Sequence, residues 1–322
     1  MGKFTVSSTP HIRENNSISD IMIDVIIALM PAAFAGVIYF GRRAFAVILL
    51  SVLCSVGFEF LYQKIAHKKS SVGDLSAVVT GMLLAFTLPV NIPYYVVVIG
   101  AFVAIIITKQ LFGGIGQNFM NPALVGRAFL LASFPVAMTT FYANRMEIFE
   151  NASDVAAKTG ATILSPEYTA TQPTVWQLFI GQYKSGAPIA GCIGETCALA
   201  ILIGFVYLLV RRVINARIPL SYIGSVLIMY ILFGNGVNPL IGILSGSVML
   251  AAVFMATDYV TTPTTAWGQI IFGIGCGVIT CIIRFWGGYP EGVTYAILLM
   301  NVVTPLLDKW TKPQCFGKVK NN

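Results

Sequence analysis

The chain is 322 residues long, 57% hydrophobic and only 10% charged, with a mean hydropathy of +0.80. A soluble domain carries about 25% charged residues, so these charges are too few to cover a water-facing surface, and a soluble enzyme or binding module is excluded. The net charge of +7 does not point to nucleic acid, because in so apolar a chain Lys and Arg gather in the cytoplasmic loops of a bilayer protein.

A bilayer core about 30 Å thick is crossed by roughly 20 helical residues. Backbone in lipid must satisfy its own hydrogen bonds, so long apolar runs read as helices. The first 20 residues hold His11, Arg13 and Glu14 ahead of any apolar run. With no short apolar stretch and cleavage site there, no removable signal peptide is expected. Five predicted segments follow, at 21–40, 44–62, 75–88, 94–112 and 122–138. The third is short for a span and ends at Pro89. Pro122 opens the fifth, where a first helical turn tolerates proline. A polar stretch at 139–188 comes next, and loops of that length are usually functional or disordered. Five more segments are predicted at 190–210, 218–233, 239–257, 267–285 and 293–307, with Pro239 again at a start.

The fold class is therefore all-α integral membrane, with about ten transmembrane helices. Its parts are an N-terminal arm (1–20), a first five-helix unit (21–138), a central loop (139–188), a second five-helix unit (189–308) and a tail (309–322). Orientation comes from the basic residues. Lys3, Arg13, Lys64, Lys68, Lys69, Lys109, Arg211, Arg212, Arg217, Lys309, Lys312, Lys318 and Lys320 fall on the side of the termini. Arg42, Arg43, Arg145, Lys158, Lys184 and Arg284 fall on the other. The positive-inside rule puts both termini in the cytoplasm and the 139–188 loop outside.

The halves look related. Met82-Leu83-Leu84-Ala85 resembles Met249-Leu250-Ala251-Ala252, each in the third segment of its half, and Gly113-Gly114 and Gly287-Gly288 each close a fourth. Five segments per half force the second unit to be inverted. Inverted repeats with broken helices are typical of transporter-like folds with a site near the midplane.

Few residues carry chemistry. The six cysteines (Cys54, Cys192, Cys197, Cys276, Cys281 and Cys315) have no CxxC spacing and read as small packing residues, so no metal site is expected from this chain alone. An iron–sulfur site shared with a partner chain stays open as the other reading. Arg127, five residues into a segment, is the clearest buried charge, since charge in lipid is costly and by default functional. It reads either as part of a path for an anionic cofactor or an ion or as a structural pairing between helices. Asp24, Glu59, Lys109 and Glu195 lie nearer segment ends, where snorkelling to water is expected. His67 belongs to a basic loop and is expected to be solvated. In the outer loop, Thr159-Gly160-Ala161-Thr162 is a small, accessible segment ending in a hydroxyl able to form a phosphoester. Alone, the motif is also an ordinary turn.

The order of motifs resembles the RnfD/NqrB family over nearly the whole chain. The matching stretches are Ser8-Thr9-Pro10-His11-Ile12-Arg13, GDLSAVVTGMLLAFTLP at 73–89, GGIGQNFMNPALVGRAFLLASFP at 113–135 and TGATIL at 159–164. GETCA at 194–198, MATDYVTTP at 255–263 and GGYPEGVTYAILLMNVVTP at 287–305 complete the series. The length and modest N-terminal arm resemble RnfD more than NqrB. The resemblance implies FMN attached through its phosphate to Thr162 by a flavin transferase outside the cytoplasm, although Ile163 stands where the family usually has proline. A second, noncovalent flavin such as riboflavin is a further expectation. The resemblance also implies a place in a hetero-oligomeric Rnf complex in the bacterial inner membrane. That complex couples ferredoxin oxidation and NAD+ reduction to Na+ or H+ movement. This chain would relay electrons and would not be active alone. Two other functions suit the pattern: an NqrB-like subunit of a quinone reductase, and a stand-alone permease for a small solute. A yellow band, fluorescent after denaturation, separates the flavoprotein from the permease.

Overall fold

In the computed structural model, the described residues are 17–68, 70–141, 173–182, 189, 191–234, 238–287 and 292–312. They are mostly helical, with an isolated antiparallel bridge between Pro89 and Cys192.

Ser17 opens α1 (Ile18–Phe40) with a capping box: its hydroxyl accepts from Asp20 N–H and the Asp20 carboxylate accepts back from Ser17 N–H. After Gly41, α2 runs Arg42–Ile65, and a 3-10 turn (Val72–Asp74) leads into the short α3 (Ser76–Phe86). Helix α4 (Tyr94–Phe102) continues as a π-helical segment, Val103–Gln110, and Gly113 and Gly114 then turn the chain at φ of 124° and 100°, a region glycine enters freely. Asn121 caps and Pro122 begins α5 (Pro122–Ser133), and Pro135 restarts the chain as α6 (Pro135–Thr139). Beyond the central stretch come α7 (Val175–Ile180), α8 (Ala198–Val210), α9 (Arg217–Phe233) and α10 (Pro239–Leu244). A brief α11 (Val248–Leu250) passes into a second π-helical segment, Ala251–Met255, followed by α12 (Ala266–Trp286) and α13 (Val293–Trp310). The proline starts expected at Pro122 and Pro239 are present, each behind an asparagine cap.

Helices α1, α2 and α12 are long and apolar enough to cross a membrane by themselves. Their outer faces, with those of α8 and α9, expose large apolar side chains such as Phe34, Ile38, Leu53, Val206 and Ile231. Water would penalise such faces and hydrocarbon does not. Between helices, small residues bring backbones together. A Cβ added at Gly204 of α8 would stand 2.2 Å from the Ala28 carbonyl of α1. Ser51 of α2 donates to the Gly81 carbonyl of α3 at 2.7 Å.

Three predicted segments are not continuous helices: that at 122–138 breaks at Phe134 and restarts at Pro135, and the other two carry longer irregular stretches. The run predicted at 190–210 becomes helical only at Ala198. Before it, Ile193 N–H donates to the Leu88 carbonyl (3.1 Å) and Gly194 N–H to that of Phe86 (3.0 Å), so this backbone finds its partners in the turn after α3. The run predicted at 239–257 breaks at Ser245–Ser247. There Arg284 of α12 donates to the carbonyls of Gly242 (2.7 Å) and Ser245 (3.2 Å), which α10 leaves without helical partners. Arg43 does the same for Val90 and Asn91 behind α3, at 3.2 Å each. Irregular backbone at membrane depth is tolerated only where protein groups satisfy it in this way.

Candidate functional site

The two irregular segments meet at the expected buried charge. Arg127 on α5 is 4% exposed. Its guanidinium donates to the Ser247 hydroxyl beside the α10 break (3.4 Å) and approaches Cys192 Sγ in the 191–197 turn (3.9 Å). Glu195 in the same turn is buried, and its Oε1 accepts from Cys192 N–H at 2.8 Å. Its other oxygen, Oε2, has no hydrogen-bond partner among the described residues. Arg127 therefore joins elements from both halves. On the resemblance noted above, Arg127→Leu is expected to leave the subunit inserted and assembled while lowering electron transfer or its coupling to ion movement. A variant complex that turns over normally would show the guanidinium to be packing only.

The snorkelling expected of the other charges is corrected by the structure. Glu59 and Lys109 are 0% and 3% exposed, and they pair with each other at 2.7 Å. Lys109 Nζ also donates to Ser76 Oγ (2.7 Å), while Glu59 Oε1 accepts from the Ser71 hydroxyl (2.7 Å) and Gln63 Nε2 (3.2 Å). Asp24 is buried as well and accepts from Tyr207 Oη (2.8 Å) and Arg211 (3.2 Å). The reason is packing: position along a segment measures distance to water along one helix, whereas α3 and α8 close over these side chains from the side. His67 is exposed, as expected of a solvated loop residue.

Lys109, Ser76 and Asp24 share the wall of a cavity of about 690 Å3. It lies between α1, α3, the first π segment, the start of α5, the end of α8 and the loop after the second π segment. That volume falls within the roughly 300–1,000 Å3 typical of small-molecule and cofactor pockets. Its polar groups are largely acceptors. Thr80 Oγ1 donates back to the Ser76 carbonyl (2.9 Å) and Thr257 Oγ1 to that of Val253 (2.6 Å). Asn121 caps α5 with its oxygen and donates its amide to the Met255 carbonyl (3.2 Å); Asn118 donates to that of Met120 (3.1 Å). Burial raises the Asp258 carboxyl above the usual carboxylate range, opposed by Val260 N–H, the Thr261 hydroxyl and the Lys109 ammonium. Arg211 is matched by Asp24, while Arg212 stands exposed at the rim. The interior suits an uncharged ligand rich in hydroxyl and N–H donors.

Thr162, and the 159–164 motif with it, lies outside the described residues. Among the described residues no group of three or more His, Cys, Asp and Glu side chains is placed to hold a metal ion. Asp258, Asn118 and Asn121 line the cavity from inside the quoted motifs, but no local property of the sequence marks them as cavity-facing.

The elements that build this cavity and the Arg127 junction carry several of the stretches quoted above. The chain is 49% identical over 317 residues to the D subunit of the Na+-translocating ferredoxin:NAD+ oxidoreductase complex of Acetobacterium woodii, covering 98% of this chain and 96% of that one. It is 44% identical over 324 residues to the proton-translocating counterpart of Clostridium ljungdahlii, with 98% and 96% covered. It is 35% identical over 339 residues to the D subunit of the ion-translocating oxidoreductase complex of Halorhodospira halophila, with 97% and 95% covered. The model of the NQR2, RnfD, RnfE family matches residues 5–317, which takes in both halves, the central stretch and every quoted motif, and the chain belongs to that family.

Proposed function

We propose that this chain is the D subunit of an ion-translocating ferredoxin:NAD+ oxidoreductase complex, an electron-relaying membrane flavoprotein that works only with its partner subunits. The observation that carries the reading is end-to-end similarity to proteins bearing that name, at up to 49% identity among those above. The names divide between Na+ and protons, so the reading is framed for either ion.

In this reading the chain forms ten membrane segments in two inverted five-helix units, divided as 21–138 and 189–308. Each unit contains a π-helical stretch, Val103–Gln110 in the first and Ala251–Met255 in the second, and α3 and α10 are each too short to span alone. Both termini face the cytoplasm of a bacterial inner membrane, and the 139–188 loop faces outward. Thr162 carries FMN as a phosphoester, made by a flavin transferase outside the cytoplasm. The cavity beside Lys109 takes the noncovalent flavin, riboflavin, whose ribityl hydroxyls and ring N–H match the acceptors of Asn118, Thr80, Thr257 and Asp258. Bound flavins supply the one- and two-electron chemistry; the protein supplies position, environment and exclusion of side reactions.

Membranes from cells lacking this chain are expected to lose ferredoxin-driven NAD+ reduction and regain it when the chain is expressed. Loss of NADH-driven quinone reduction instead would select the NqrB-like alternative. Solute uptake by the purified, colourless chain alone would select the permease. Topology is tested separately. Cysteines placed in the 139–188 loop are expected to react with an impermeant reagent on intact cells or spheroplasts, and labelling only after lysis would reverse the orientation.

A further inference from the structure

The Lys109–Glu59 pair has the anatomy of a ligand anchor as well as that of a structural bridge. An ammonium carries three N–H donors and no acceptor. Two are committed, to Glu59 Oε2 and Ser76 Oγ at 2.7 Å each. Among the described residues no acceptor takes the third, although Lys109 is 3% exposed and forms part of the cavity wall. Asp258 lines the same cavity without a hydrogen bond to Lys109; its oxygens accept from Val260 N–H (3.5 Å) and the Thr261 hydroxyl (3.3 Å) and keep lone pairs for a ligand. The surrounding hydroxyl and amide donors are turned into backbone carbonyls, as described above. In a cavity of acceptors, Lys109 brings the strong donor.

Glu59 explains how such a donor can sit there. A lone ammonium out of water costs several kcal/mol. Behind Lys109, the Glu59 carboxylate neutralises it and is itself held by Ser71 and Gln63. The pair is neutral overall, with its positive end turned towards the cavity. Lys109 also sits in the π-helical stretch Val103–Gln110, a distortion frequent at functional sites.

We propose that Lys109 binds the ligand of this cavity directly, donating its third N–H to a carbonyl or ring-nitrogen acceptor, with Glu59 as its fixed counterion. The proposal rests on the reading above that the ligand is a noncovalent flavin. On that reading the acceptor lies on the pyrimidine edge of the ring, where negative charge accumulates on reduction. The ammonium holds the flavin in place and raises its midpoint potential.

The test must separate anchoring from folding, because Lys109→Met alone strands Glu59. The variant to use is Lys109→Met/Glu59→Gln, in which both charges go and the amide oxygen still accepts from Ser71 and Gln63. The probe is riboflavin, measured per assembled complex as acid-extractable flavin, so that any covalently held flavin is not counted. A charge-assisted hydrogen bond contributes about 1.5–3 kcal/mol. The double variant is therefore expected to assemble, to bind added riboflavin roughly tenfold or more weakly, and to lower the potential of what it binds. Glu59→Gln alone strands the Lys109 ammonium, so it reports on the stability of the pair and not on the anchor. If the assembled double variant binds riboflavin with unchanged affinity and potential, the anchor is overturned while the flavin-bearing cavity stands. If the native complex yields no extractable riboflavin and binds none when it is added, the cavity reading falls, and the anchor with it.

Discussion

Thr162→Ala is expected to abolish covalent flavin on this chain: the intact mass falls by one FMN-sized increment and in-gel fluorescence disappears. Three separate strands lead there. A threonine hydroxyl can form one kind of bond to FMN, a phosphoester with its terminal phosphate. Gly160 and Ala161 carry little or no side chain, so a modifying enzyme can approach the backbone. The distribution of basic residues is expected to put the 139–188 loop on the outer side, where the proposed transferase would act. The membrane segments are expected to insert unchanged, because a polar loop contributes little to packing in the bilayer. Thr159→Ala is the internal control. It removes the same hydroxyl three residues earlier and can lower recognition, but any flavin attached stays on Thr162. Peptide mass spectrometry that places the flavin on Thr159, or on no residue of this loop, sinks the assignment.

Lys109→Met is expected to produce the largest loss of stability of any single substitution considered. Removing one partner of a buried ion pair leaves an uncompensated charge and costs about 3–5 kcal/mol. Here Glu59, at 0% exposure, would keep its serine and glutamine partners but lose its cation. The readout is the unfolding midpoint of the detergent-solubilised complex, or its yield where the variant fails to assemble. Exchanging both partners is a different experiment. Replacing a whole buried pair by neutral groups is often neutral or stabilising, so Lys109→Met/Glu59→Gln is expected to recover most of the midpoint. A single variant as stable as the native chain would mean that water reaches Glu59 and that the pair is not buried in the membrane. This stability comparison is independent of flavin, and it establishes whether the double variant is sound enough to report on ligand binding.

Much of the architecture was legible in the sequence because its causes are local. Composition alone excludes a water-soluble fold, since too few charges exist to cover one. Pro122 and Pro239 mark helix starts because a first turn needs no proline N–H, and Asn121 and Asn238 cap them with their own side chains. Arg127 could be read as a buried charge because it lies well inside an apolar run on every side. The shared motifs, read in order, identified the family before any contact was known.

The tertiary structure decided whatever depends on residues far apart in the chain. Glu59 and Lys109 are separated by 50 positions, and their distance from the ends of their own segments suggested contact with water. Neighbouring helices close that route, and each charge then needs the other. The start of the segment predicted at 190–210 reads as apolar helix by composition. It is instead irregular because the carbonyls of Phe86 and Leu88, more than a hundred positions away, take its N–H groups. Helix α10 likewise stops where Arg284, from a later helix, satisfies the carbonyls it exposes. Asp258 becomes a cavity residue only because the loop carrying it folds over α3 and α5. Apolarity places a segment in the membrane, but in a lipid environment the partners of each polar group decide its conformation, and those partners come from the rest of the fold.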